Sequence, residues 1–222
     1  MPASNDLAPW FKLQGLTLDA IHPSWFADLA PELVVEARKN FLCRRWLAIR
    51  LSTISPLLFG APAPLRHAEA QPLQSAAWLE EALADTMDCA FDLGLLVLPG
   101  LVRTVVARAD VMRLRSALGA ARYERILKGQ PDSLFRAHAT GADIEPAIDG
   151  GAAVVERLTR RGAAELMGYA ASVHPAWGES VRLCFERRAS EVAPAPCLDP
   201  DVVEDCLRLR ATVPEADLGE TA

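Results

Sequence analysis

Apolar residues recur at intervals of three and four along most of the chain. From Pro31, the set Val34, Ala37, Phe41, Arg45/Trp46 and Ile49 keeps that spacing, with Arg38, Lys39, Arg44 and Arg50 as the polar positions between. This predicts a helix reaching to about Leu51. Ahead of it, in Ile21-His22-Pro23-Ser24-Trp25-Phe26, Ser24 suits the cap of a short first helix, and Pro31 suits the first turn of the longer one. Between Ser55 and Gln74 lie Pro56, Gly60, Pro62, Pro64 and Pro72, and no period survives them, so this stretch reads as a linker or surface loop. Ser75 then opens the clearest helix start in the chain, with Leu79, Leu83, Met87, Ala90/Phe91, Gly94 and Val97/Leu98 in step.

Pro99-Gly100 interrupts that pattern, and Val102, Val105/Val106, Ala109 and Met112 resume it. Asp110 is placed to cap a segment through Leu118. Gly119 separates this from Ala120 to Lys128, which Gly129 and Pro131 close, giving three short helices in series. After a softer stretch, Gly151, Val155, Leu158, Gly162, Leu166, Tyr169 and Val173 fall on one face of a buried helix whose small residues allow close packing, and His174-Pro175 ends it. Val181 to Glu186 alternates as a strand does and fits a short helix almost equally well. Pro194, Pro196 and Pro200 mark a second linker, and Asp199-Pro200 suits the start of a closing helix that carries Val202, Val203, Cys206, Leu207 and Leu209. No fixed-period repeat, paired strands or phosphate-binding glycine loop is present. The pattern predicts one irregular all-α domain over residues 1–222, with a helical part at 22–54, a linker at 55–74, a helical core at 75–188, and a linker with a C-terminal helix at 190–222.

Composition narrows the class. The chain has 222 residues, of which 51% are apolar and 23% charged, the mixture of an ordinary globular protein. Its net charge of -6 argues against whole-molecule attraction to phosphate. Lysine occurs only at positions 12, 39 and 128, so the cations are mostly arginines, suited to planar, geometry-specific pairing. The first residues do not resemble a secretory signal. The longest nearly apolar run, Leu93 to Val102, is broken by Gly94, Pro99 and Gly100 and falls far short of the roughly 20 residues a bilayer span needs. Cys43, Cys89, Cys184, Cys197 and Cys206 form no C-x-x-C pair and read as reduced cytosolic thiols.

Candidate chemistry is sparse. Glu81, Asp85, Asp88 and Asp92 are spaced to share one helix face, but no histidine accompanies them as in a carboxylate di-metal site, so the row reads as a solvated or arginine-pairing face. Between Leu101 and Thr140 eight basic residues stand against three acidic ones, and Arg108, Arg115 and Arg122 repeat every seven. Such arginines on short helices suit a protein-docking face, and they also admit a helix-turn-helix reader of DNA. From Asp199 onward the balance turns acidic. His22-Pro23-Ser24-Trp25 and His174-Pro175-Ala176-Trp177 begin alike, and each reads as a rigid helix boundary with an aromatic anchor. A Cys-His nucleophile pair has no local signature, and serine-hydrolase, kinase, zinc-peptidase and P-loop motifs are absent. No catalytic residue, metal ligand or cofactor site is assigned. The alternatives kept open are a helical DNA-binding or regulatory protein and an enzyme with an unrecognised helical fold.

The order of features from Trp78 to Arg188, with the earlier His22-Pro23-Ser24-Trp25, resembles the SctK family (YscK, PscK and Hrp-type relatives) of bacterial type III secretion accessory proteins. The resemblance is carried by Leu93-Gly94-Leu95-Leu96-Val97-Leu98, Val102-Arg103, Leu114 to Leu118, Ala121 to Gly129, Ala176-Trp177 and Val181-Arg182-Leu183. It does not extend to Ser55–Gln74 or beyond Ser190. It implies a non-enzymatic cytoplasmic adaptor of the injectisome sorting platform. The platform role joins the cytoplasmic domain of the inner-membrane ring protein to the pod-forming, rotor-like protein that holds the stator and export ATPase. It implies no nucleic acid and no direct insertion into the membrane. No family residue of defined role maps onto this chain, and Arg108, Arg115 and Arg122 are the residues expected to meet an acidic partner surface.

Overall fold

A computed structural model describes residues 8–60, 73, 76–98, 100–104, 107–118, 123–124 and 151–212. Among these every regular element is helical, and the chain is all-α. Its contacts cluster into two units, one formed by Met1–Thr86 with Met167–Val192 and the other by Met87–Leu166 with Ala193–Ala222.

The first unit is organised around a buried ten-residue helix. Its elements are α1 (Ala8–Ala20), a 3-10 turn (Pro23–Trp25), α2 (Pro31–Ala37), α3 (Phe41–Leu51), α4 (Pro56–Phe59), α5 (Ala77–Ala84), α10 (Pro175–Cys184) and α11 (Arg187–Glu191). Helix α10 packs on α1, α4, α5 and α11, and buries Trp177, Val181 and Leu183. Helix α1 precedes every element that the sequence pattern predicts, although Trp10, Leu13, Leu18 and Ile21 supply an apolar face for it. The segment Val181–Glu186 is settled as helix through Cys184, after which Phe185 is extended.

The two His-Pro motifs behave as one local device. His22 caps the 3-10 turn by accepting the Ser24 N–H on Nδ1 at 3.2 Å, and His174 caps α10 by accepting the Ala176 N–H on Nδ1 at 3.1 Å. In each, proline follows at the first helical position, where its missing N–H costs nothing, and Trp25 or Trp177 is buried one turn on. His22, rather than Ser24, is therefore the cap. The Ser24 hydroxyl instead accepts the Arg187 N–H at 2.9 Å. The first motif also closes on the C-terminal end of α10: the His22 backbone N–H donates to the Leu183 carbonyl at 2.8 Å, and the Trp25 indole N–H donates to the Phe185 carbonyl at 2.9 Å.

Part of the expected linker is core. Ser55, Leu58 and Phe59 are buried, and four residues, Pro56–Phe59, form a helical turn. A carboxylate from α10 makes this possible: Glu179 accepts from the Ser55 hydroxyl at 2.6 Å and from the Leu58 N–H at 2.9 Å. Residues 61–72 and 74 of the expected linker lie outside the described residues.

The second unit contains α6 (Thr86–Val97) from Met87 onward, α7 (Leu101–Thr104), α8 (Arg108–Leu118) and α12 (Pro200–Thr212). The 23-residue α9 (Gly151–Val173) contributes residues 151–166 to this unit and 167–173 to the first. Phe91, Leu95, Val102, Leu114, Val154 and Leu158 form one apolar cluster. Helices α6 and α9 touch backbone to backbone: a Cβ at Gly94 would collide with the Leu158 carbonyl, and one at Gly162 with the Ala90 carbonyl. As expected, Asp199 caps α12, accepting the Asp201 N–H at 3.0 Å. The expected helix beginning near Ser75 breaks at Asp85 into α5 and α6, and the segment expected to start at Asp110 starts at Arg108. Of the expected Ala120–Lys128 helix, only Tyr123 and Glu124 are described, both helical.

Alanine is a better helix former than glycine by about 1 kcal/mol, yet Gly162→Ala is expected to lower stability by about 1–3 kcal/mol, because two backbones cannot yield to a methyl group. Gly100→Ala, with no atom within 4 Å of the added carbon, is expected to leave the thermal midpoint unchanged, and parallel melts check both. The His22 cap carries a pH dependence. Burial, opposed by Glu186 and assisted by Arg38, holds the ring below its ordinary value of 6.5. The unfolded chain therefore binds the proton more readily, so this stability is present above about pH 6.5 and fades as pH falls below it. His22→Asn, which caps without titrating, should flatten the melting temperature against pH between about 7 and 5.

Candidate functional site

Helix α3 has two apolar faces. Asn40 caps it, its side-chain oxygen accepting the Leu42 N–H at 2.9 Å and the Cys43 N–H at 3.3 Å. The cap also interrupts the single helix expected from Pro31 to Leu51, separating α2 from α3. The restart changes which residues face inward. Leu47 and Leu51 are fully buried and Val34 is buried on α2, whereas Phe41, Trp46 and Ile49, which carried the sequence period, point outward. Phe41 is 77% exposed, Leu42 72%, Ile49 63% and Trp46 43%. Leu42, Trp46 and Ile49 stand at i, i+4 and i+7, the spacing of a helix that lays one face into a groove. Single exposed apolar residues are ordinary on a protein surface, whereas here four share one helix face.

Arginines frame this face, and two of the three on α3 are already engaged. Arg44 donates to the Gly15 carbonyl at 2.9 Å and the Arg38 carbonyl at 3.1 Å, and pairs with Asp19. Arg50 grips both carboxylate oxygens of Asp28 and lies 4.9 Å from the centre of the Trp46 ring. That stacking favours the observed position of the indole. Arg45 is exposed in the middle of the apolar stripe and forms no ion pair with another described residue. Helix α3 contains no acidic residue.

The arginines expected to form a docking face are partly placed. Arg108 and Arg115 are exposed on α8, with Met112 exposed between them at the same helical phase. Arg115 meets Glu124 at 3.3 Å, and its neighbour Arg113 lies 3.8 Å from Asp110. Arg122 lies outside the described residues, as do His67 and His138.

The acidic row does not form. Asp85 sits in the break between α5 and α6, so Glu81 belongs to one helix and Asp88 and Asp92 to the next. Asp92 is buried and pairs with Arg210 of α12. Among the described residues no group of three or more histidine, cysteine or carboxylate side chains is arranged to hold a metal ion. Also among them, no helix is long and apolar enough to cross a membrane. Cys184 is packed in the core and burial pushes its thiol up to about 12, with Thr86 and Arg38 opposing. It stays protonated and donates to the Ser180 carbonyl at 3.4 Å.

The sequence reading singled out neither Glu165 nor Glu179, and both act as locks. Glu165 is fully buried, pairs with Arg161 one turn earlier at 2.7 Å, and accepts the N–H groups of Cys197 and Leu198 at 2.9 and 2.8 Å. A lone acid in an apolar run, such as Glu165 between Ala164 and Leu166, was the available signal. Its targets lie more than thirty residues away and cannot be read from spacing.

No family model matches this chain, and no curated protein or solved structure resembles it closely enough to be matched. The two faces of α3 are separable by substitution. Leu47→Ala is expected to cost about 2–5 kcal/mol through the cavity it leaves, while Ile49→Ser should stay within about 0.5 kcal/mol of the parent. Urea unfolding of the two variants distinguishes them.

Proposed function

We propose that this chain is a non-enzymatic adaptor whose task is to hold other proteins together. The observation that carries this reading is the outer face of α3: Phe41, Leu42, Trp46 and Ile49 are held in fixed positions by a helix anchored through Leu47 and Leu51, and are left uncovered. A partner covering this face would remove apolar surface from water at little ordering cost, because the helix and the Trp46 ring are already in place. The Arg108–Arg115 face of α8, with Met112 between, offers a second, cationic surface.

The assembly served is proposed from the resemblance of Trp78 to Arg188 to the SctK family. On this reading the chain works in the bacterial cytoplasm at the inner face of the inner membrane, held there by proteins. It joins the cytoplasmic domain of the inner-membrane ring protein to the pod-forming, rotor-like protein, and through it to the stator and export ATPase. The segregation of basic residues at 101–140 from acidic ones after Asp199 along the sequence suits such docking, since charge sets orientation and association rate more than affinity.

Affinity capture of the tagged chain from its host under mild lysis tests this. The rotor-like pod protein and the ring protein are expected in the eluate, and charge reversal at Arg108, Arg115 and Arg122 is expected to deplete one of them and to reduce secretion. Recovery of nucleic acid, of a metabolic enzyme or of nothing would overturn the assignment.

A further inference from the structure

We infer that the outer face of α3 docks into an apolar groove of a different protein, one that places an aspartate or glutamate opposite Arg45. The inference rests on the adaptor reading and specifies the chemistry of one partner. Arg45, at i+4, lies between Phe41 at i and Ile49 at i+8 along the helix face, so a surface that covers Phe41, Leu42, Trp46 and Ile49 together also covers its side chain. An arginine cannot shed its charge, and burying it without a counter-ion is strongly unfavourable. Among the described residues no carboxylate pairs with Arg45: Asp19 is committed to Arg44, Asp28 to Arg50 and Glu36 to Lys39, and α3 itself has no acid. The occupant must bring the carboxylate.

That requirement separates three possible occupants. A second copy meeting the first through a two-fold axis sets the same residues against one another. It would bury Arg45 against apolar side chains or its own equivalent, with no carboxylate between residues 41 and 51 to answer it. An anionic lipid surface would gain about 1 kcal/mol from one basic residue, while the whole chain, at -6, is repelled by it. A groove with a single acid satisfies both parts of the face. Trp46, stacked with Arg50, is the central anchor, since tryptophan and arginine are the residues on which interface energy concentrates.

Photocrosslinking reads the occupant's chemistry directly. A benzoylphenylalanine placed at Phe41 or Ile49 of the full-length chain is activated in the host cell, and the attached segment is sequenced by mass spectrometry. The expected product is a segment of another protein that is largely apolar and holds an Asp or Glu. Arg45→Glu should lower the yield by about tenfold or more without altering the melting temperature, and a lysine at the mapped partner acid should restore it. Attachment to a second copy, to lipid, or to a segment without a carboxylate overturns the inference, as does no attachment or an unchanged yield with Arg45→Glu. The two readings fail separately. A matching acidic groove on a protein outside the secretion machinery retains this inference and removes the platform assignment. Undiminished capture of platform proteins by Arg45→Glu does the reverse.

Discussion

Every helix leaves backbone N–H groups at its start and carbonyls at its end without partners, and a fold made of short helices has many such ends to satisfy. The described part of this protein is organised by that constraint. Helix α4 is four residues long and starts on a borrowed carboxylate, that of Glu179, and the Gln14 amide donates to its Leu58 carbonyl. The end of α1 is held by Arg38, which donates to the Asp19 and Ile21 carbonyls, and by Arg44 on Gly15. Arg182 reaches the Ile54 carbonyl, Glu165 gathers two N–H groups ahead of α12, and Trp25 closes on the carbonyl that follows α10. The preference for arginine over lysine has its reason here, since a planar guanidinium can donate to several carbonyls at once from a partly buried position.

The same constraint produces the surface on which the functional reading rests. A continuous helix from Pro31 to Leu51 would have presented one apolar stripe. Asn40 ends that possibility by capping a new helix, and Arg44 ties the new helix to α1. Leu47 and Leu51 become the buried stripe, and the residues left over, Phe41, Leu42, Trp46 and Ile49, face outward. The exposed apolar face is thus the counterpart of a fixed local geometry. Surfaces built this way suit a protein that assembles with others, because they present anchors without first having to order them.

Several polar residues of the described helices and their caps act on the protein itself. His22 and His174 act as caps, Asp92 and Glu165 are paired in the core, and Cys184 is held as a protonated thiol. These are the residues a sequence reader examines first for chemistry, and here each closes a gap in the backbone or in charge. On the proposed reading the functional weight falls on apolar and cationic residues on the outside, where Arg45, beside Phe41 and Ile49, has no ion-pair partner among the described residues.

Local sequence determined the class, the long α9, the capped start of α12 and the placing of the two His-Pro-x-Trp units at helix boundaries, though not that the histidines are the caps, because each of these depends on residues within one or two turns of each other. The contacts across the chain were not legible. Glu179 bonds residues more than a hundred positions away, Asp92 leaves its expected row to meet Arg210, and Gly94 and Gly162 admit one helix to the backbone of another. The sequence alone also left open whether Val181–Glu186 was strand or helix, which packing against α1 and α5 decided. Above all it could show that α3 is apolar at Phe41, Trp46, Leu47, Ile49 and Leu51, but not which of these the core would take. That choice follows from the rotation of one helix about its axis, which Asn40 and the tertiary contacts of Arg44 and Leu47 set together, and periodicity carries no information about rotation when both faces of a helix are apolar.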